Sequence, residues 1–149
     1  MRTILQILAE AGGLKRGKCI SIENEPWMRL VIEVLQEPGP NSHPVVSVAH
    51  YGEQNSDPMR APEMLFEVVE YDGVAPEFWA FYFRNDYAGV EQWSRVRSER
   101  AEVVCLPRRT RDMEEFAKIW DRNLREQGFL EAFRRQAEGV RPGERSAQP

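Results

Sequence analysis
The chain has 149 residues, of which 42% are hydrophobic and 30% charged, with a formal net charge of −4. That length and composition suit one folded domain with a real core. They exclude wholesale disorder, collagen-like repeats and the broad basic field that coats DNA non-specifically. No apolar run approaches the roughly 20 residues that cross a bilayer, and Met1 to Leu8 lacks a signal-peptide pattern, so a cytoplasmic protein is expected. The two cysteines, Cys19 and Cys105, each sit in a short apolar stretch and read as reduced, buried hydrophobes. Residues 1–90 carry thirteen acidic and seven basic side chains, residues 91–149 eleven and thirteen. An acidic first part suits a protein partner with a basic surface better than nucleic acid.

In chain order, Thr3 to Ala11 reads as a short helix with Ile4, Leu5, Ile7 and Leu8 apolar and Gly12-Gly13 as its stop. Lys15, Arg16 and Lys18 follow in a solvated turn. Trp27 to Leu35 is the clearest strand, with Met28, Leu30, Ile32 and Val34 on one face and Arg29 and Glu33 on the other. Glu37 to Ser42 is a turn. A second strand runs from Val45 to about Tyr51, with Val46, Val48 and His50 sharing a face. A polar loop is expected from Gly52 to Pro62, then a third strand from Met64 to Tyr71, ended by Asp72-Gly73. Phe78 to Phe83 reads as a fourth strand, with Phe78 and Tyr82 on one face and Trp79, Phe81 and Phe83 on the other. Ala88 to Arg100 fits helix or strand, and Val103 to Leu106 suits a short closing strand.

Asp112 to Gln127 is expected as a helix, with Asp112 and Glu115 at capping-box spacing and Phe116, Ile119, Trp120 and Leu124 facing inward. Phe129 to Ala137 adds further helical turns. Residues 139–149 read as a disordered tail, which leaves residues 1–138 as the domain. Helices and strands are segregated. The expected fold is therefore α+β: an antiparallel sheet of about four to five strands with an N-terminal helix and C-terminal helices packed on it.

Familiar catalytic motifs are missing: there is no phosphate-binding glycine loop, no paired CxxC, no HExxH and no nucleophile elbow. No cofactor is expected. The densest polar stretch runs from His50 to Glu63, with Tyr51, Glu53, Asn55, Asp57 and Arg60 between. A histidine with several carboxylates suits a divalent ion or acid–base chemistry, with His50, Asp57, Glu63 and Asp86 as the candidates. The alternative is structural: His50 caps the core and bonds a carbonyl, Asn55 and Asp57 serve a turn, and Arg60 pairs with Glu63. A second polar group, Arg84-Asn85-Asp86-Tyr87, suits either an anion clamp or a plain turn. The arginines from Arg95 to Arg111 suit a nucleic-acid patch or a solvated surface diluted by Glu91, Glu99 and Glu102.

The segment His50-Tyr51-Gly52-Glu53-Gln54-Asn55-Ser56-Asp57, followed by Met59 and by Pro62-Glu63-Met64, resembles a motif in small uncharacterised proteins of phages, plasmids and integrative elements. The likeness covers about twenty residues, and the Arg60-Ala61 that precedes Pro62 departs from the acidic residue of that pattern. It carries no activity over. It implies a mobile-element setting, in which small acidic proteins often block host defences. The resulting expectation is a non-enzymatic binding module acting on a host protein or defence complex, in the manner of an anti-CRISPR. Its contact residues would be His50, Tyr51, Glu53, Asn55, Asp57, Arg60, Glu63, Arg84, Asn85, Asp86 and Tyr87. The rivals are a metal-dependent protein centred on His50 and a nucleic-acid binder using Arg95 to Arg111.

Overall fold
Alternation of apolar and polar residues along 28–34, 46–50 and 64–68 makes one-sided strands, and one-sided strands need a covering layer. The computed structural model, which describes residues 1–139, builds them into a sheet of six antiparallel strands in chain order. These are β1 (Cys19–Asn24), β2 (Trp27–Val34), β3 (Val45–Gln54), β4 (Asp57–Tyr71), β5 (Val74–Asn85) and β6 (Val90–Trp93). A separate two-stranded ribbon, β7 (Arg95–Arg97) with β8 (Val103–Cys105), follows. Three helices, α1 (Arg2–Glu10), α2 (Pro107–Glu126) and α3 (Phe129–Gly139), complete the described chain. Except for Gly139, the segment read as a tail lies outside the described residues.

The helices cover one face. Leu30, Ile32 and Val34 of β2, Val46 and Val48 of β3, and Met64, Phe66 and Val68 of β4 point into a common core. Ile4, Ile7 and Leu8 of α1, Met113, Ala117, Trp120 and Leu124 of α2, and Phe129 and Ala132 of α3 meet them there. Asp121 on α2 accepts the Thr3 amide at 2.9 Å and so caps the start of α1 from a neighbouring helix. On the free edge of β1, the Gln136 carboxamide of α3 accepts from the Glu23 amide (2.9 Å) and donates to the Ser21 carbonyl (3.1 Å). A side chain thereby takes the place of a further strand and blunts that edge.

Several expectations need correction. The main sheet has six strands, not four to five: β1 is not among the expected strands, because its two isoleucines sit between basic and polar neighbours. Gly52 to Pro62 is not a loop. β3 and β4 continue as a hairpin with Gly52 opposite Met59 and Gln54 opposite Asp57. Asn55 and Ser56 make the two-residue turn at φ 52° and 68°, the left-handed pair that matches the strand twist. Ser56 tolerates this backbone poorly, so Ser56→Gly should stabilise the chain by about 0.5–1 kcal/mol, read as a higher urea midpoint.

The β3–β4 ladder slips at His50, where the extra residue on β4 falls at Ala61-Pro62; a proline without an N–H fits a bulge. A second slip, between Leu65–Tyr82 and Phe66–Ala80, leaves Phe81 unpaired. Phe81 and Tyr82 therefore both join the helix-free side and Phe83 the core, against the alternation expected for this strand. Helix α2 starts at Pro107, not Asp112, with Pro at its first turn where the missing N–H costs nothing. Asp112 and Glu115 are then interior positions, so the expected capping box does not form. Ile119 lies outward, 51% exposed, and Met113 and Ala117 take its place in the buried stripe. Both cysteines are exposed rather than buried.

Candidate functional site
With three helices on one side, the other face of the sheet carries no helix among the described residues; the 37–44 turn and Arg95 and Arg97 close one part of it, over Glu67. Register rows across it run Glu33, Ser47, Leu65, Tyr82, Trp93 and, one pair along, Val31, Ala49, Glu63, Arg84, Glu91. The first row is part of an apolar cleft; the second begins a charged network.

The charged end gathers most of the residues that the sequence marks. Asp86 follows β5 and binds Arg60 twice through its carboxylate and amide: the Arg60 amide donates to Asp86 Oδ2 at 2.7 Å, and the Asp86 amide to the Arg60 carbonyl at 2.8 Å. Arg84 Nε lies 2.6 Å from Asp86 Oδ1. Arg60 Nε donates to the Tyr51 hydroxyl at 3.3 Å and lies 3.6 Å from Glu63. The guanidinium groups of Arg29 and Arg60 lie 5.7 and 6.0 Å from the centre of the Tyr51 ring. Burial raises the Glu63 carboxyl above the usual carboxylate range, against the pull of Arg60. Burial works the same way on Asp86, but the Arg60 amide and the Arg84 guanidinium outweigh it and hold that carboxyl low. Burial, and donation to Glu91 at 2.9 Å, push the Tyr82 hydroxyl up to about 12.

The remaining marked residues lie elsewhere. Glu53, Asn55 and Asp57 project at the hairpin tip, beyond the last β2–β3 pair, Arg29 with Tyr51. Asn85 accepts the Ala88 amide at 3.2 Å in the turn after β5. Tyr87 stacks its hydroxyl against Gly52, where any Cβ would collide with it. His50 points to the helix side, 7% exposed, with Nδ1 3.1 Å from the Met28 carbonyl and its ring beside Trp120 and Phe129. The sheet thus separates His50 from Glu63, and the hairpin arm carries Asp57 away from both. Among the described residues no three His, Cys, Asp or Glu side chains converge.

Burial lowers the His50 pKa below its usual value. The native chain keeps His50 neutral where the unfolded chain, with a pKa near about 6.5, takes a proton. Stability should therefore fall as pH drops below that value, until the folded pKa is reached. Glu63 slopes the other way, since its raised pKa loses stability as pH rises above about 4.5. Urea titrations of wild type and His50→Phe between pH 7 and 5 separate the two: the variant should lack the decline below pH 6.5. Parallel curves would rule out this role for His50.

At the opposite end of this face lies a cleft of about 640 Å³, walled by Leu35, Val45, Leu65, Phe81, Trp93 and Val96 and by the 37–42 turn. Beneath it is a group that sequence reasoning missed. Glu67 is fully buried on β4 and pairs with Arg95 at 3.2 Å. Glu67 also accepts the Asn41 and His43 amides at 3.1 Å. Arg95, 8% exposed, donates to the Trp79 carbonyl and Asn41 and lies 5.5 Å from the centre of the Trp79 ring. Gly39 closes the turn over Glu67 so tightly that a Cβ would strike the Glu67 side chain. Arg97 holds the same turn through the Pro40 carbonyl and Ser42. Two arginines of the supposed basic patch are thus structural.

A six-stranded meander with the helices of the described residues on one face, and a cleft and charges on the other, defines an α+β protein with one helix-free sheet face. Residues 2–130 match the model of a domain of unknown function (DUF6908), and the chain belongs to that family. No curated protein and no solved structure matches the chain. Among the described residues no helix is long and apolar enough to cross a membrane.

Proposed function
We propose that this protein is a non-enzymatic binding module, encoded on a mobile element, that acts in the cytoplasm on a host protein through the helix-free face of its sheet. The observation that carries the reading is that face itself: an apolar cleft beside a network of half-buried charges, with no helix among the described residues laid across them. Monomers seldom leave a contiguous apolar patch uncovered without a use for it. Half-buried Arg and Tyr beside apolar walls are the side chains that carry binding energy at protein interfaces. The charged groups satisfy one another instead of converging on a reacting atom, which favours recognition over catalysis. The mobile-element setting rests on the His50 to Met64 motif, and it points to a component of host defence as the partner.

The test is capture from host lysate with nuclease present, using wild type and the pair Glu63→Lys with Arg84→Glu. A stoichiometric protein should survive nuclease with wild type and fall at least tenfold with the variant pair. A partner held equally by both, or one lost on nuclease treatment, would defeat the reading.

A further inference from the structure
The two edges of the sheet are treated differently. The β1 edge is closed by Gln136, whereas no strand among the described residues pairs with the outer edge of β6. The Ser94 amide donates across to Phe81 on β5, so the amides of residues 90, 92 and 94 point into the sheet. Those of Glu91 and Trp93 then point outward, and the Trp93 carbonyl on that side is met by Arg109 Nη1 at 3.3 Å. The edge ends at a pocket of about 250 Å³ framed by Trp93, Val96, Val104 and Leu106, with Arg109 at its rim. Those four apolar side chains are each more than 40% exposed.

Charge gives the pocket a direction. Helix α2 begins beside it without a side-chain cap and without an acidic residue in its first turn. Arg108, Arg109 and Arg111 are exposed there, and none makes an ion pair among the described residues. The positive end of a helix and three arginines without an ion pair among the described residues favour a negative ligand.

Resting on the binding-module reading, we infer that β6 accepts an extended acidic peptide segment of the partner as a seventh strand. Its backbone pairs with Glu91 and accepts from the outward Trp93 amide, one apolar side chain fills the Trp93–Val104 pocket, and a carboxylate faces Arg109. Backbone pairing supplies affinity and the pocket supplies specificity, as in other strand additions. The apolar frame argues for peptide over nucleic acid, because Arg95 and Arg97 are already engaged inside the fold.

The probe is a displayed library of random twelve-residue peptides selected on the full chain, with enriched sequences measured by fluorescence anisotropy. Enriched peptides should pair an apolar residue with Asp or Glu. Glu91→Pro removes an outward amide along with the carboxylate that accepts from Tyr82, and should keep the fold while weakening binding at least tenfold. Glu91→Ala loses the same side chain but keeps the amide, and should bind within about threefold of wild type. Arg109→Glu should weaken binding at least tenfold. Equal binding by Glu91→Pro and Glu91→Ala would overturn the inference. So would enrichment without acidic residues, tighter binding of a single-stranded twelve-nucleotide probe, or a dimer that Glu91→Pro dissociates. If Glu91→Pro still captures the lysate partner that the Glu63→Lys, Arg84→Glu pair loses, the edge is wrong and the open face stands.

Discussion

Arg95→Met should cost about 3–5 kcal/mol in urea denaturation, because it leaves Glu67 as an uncompensated charge in the interior. Glu67→Ala should cost as much for the mirror reason, and it also strands the Asn41 and His43 amides that Glu67 accepts. The decisive comparison is the double variant Glu67→Gln, Arg95→Met. Glutamine keeps an acceptor for the two amides and both charges are gone, so the pair should cost far less than the two single changes together. Additive costs would mean that the two groups act separately and that the 37–44 turn is held by something else. The same geometry makes Gly39 irreplaceable, since even alanine there pushes the turn off Glu67.

Phe66→Ala should cost about 3–5 kcal/mol, while its chain neighbour Leu65→Ala should cost about 1 kcal/mol. Phe66 is 1% exposed, points into the core and packs its ring 5.5 Å from that of Phe78. Leu65 stands on the opposite face at the cleft, only partly buried. Two adjacent residues of similar hydrophobicity thus report on two different layers. Equal losses would show that both faces are covered, and the open face would have to be given up.

Much of the layer structure was legible. Alternation in 28–34 and 46–50 marked the helix-facing side of the central strands, and His50 sits on that side as its parity with Val46 and Val48 implied. The Arg60–Glu63 pairing was also among the readings of the sequence. The long hairpin was not legible because Gly52 to Pro62 is polar and proline-bearing, and its pairing is stabilised by its Asn55-Ser56 turn rather than by a buried face. Phe81 and Tyr82 broke the alternation because a bulge shifts register by one, which no periodicity announces. Glu67 sits at an outward position of its strand, where a carboxylate ordinarily meets water. Its burial depends on a turn more than twenty residues earlier and on an arginine 28 residues later. The only local signals were an acid set between Phe66 and Val68, and a glycine framed by Pro38 and Pro40. The cleft itself is a product of that tertiary closure, so it had no trace in local pattern.

The central claim is that the helix-free face meets the partner. Photo-crosslinking tests it most directly, with a benzophenone amino acid placed at Leu65 in the cleft or at Ile119, which is exposed on α2 of the helical layer. Irradiation in host lysate should join the partner to the Leu65 probe and leave the Ile119 probe free. A partner captured from Ile119 and not from Leu65 would contradict the account and move the contact surface to the helices.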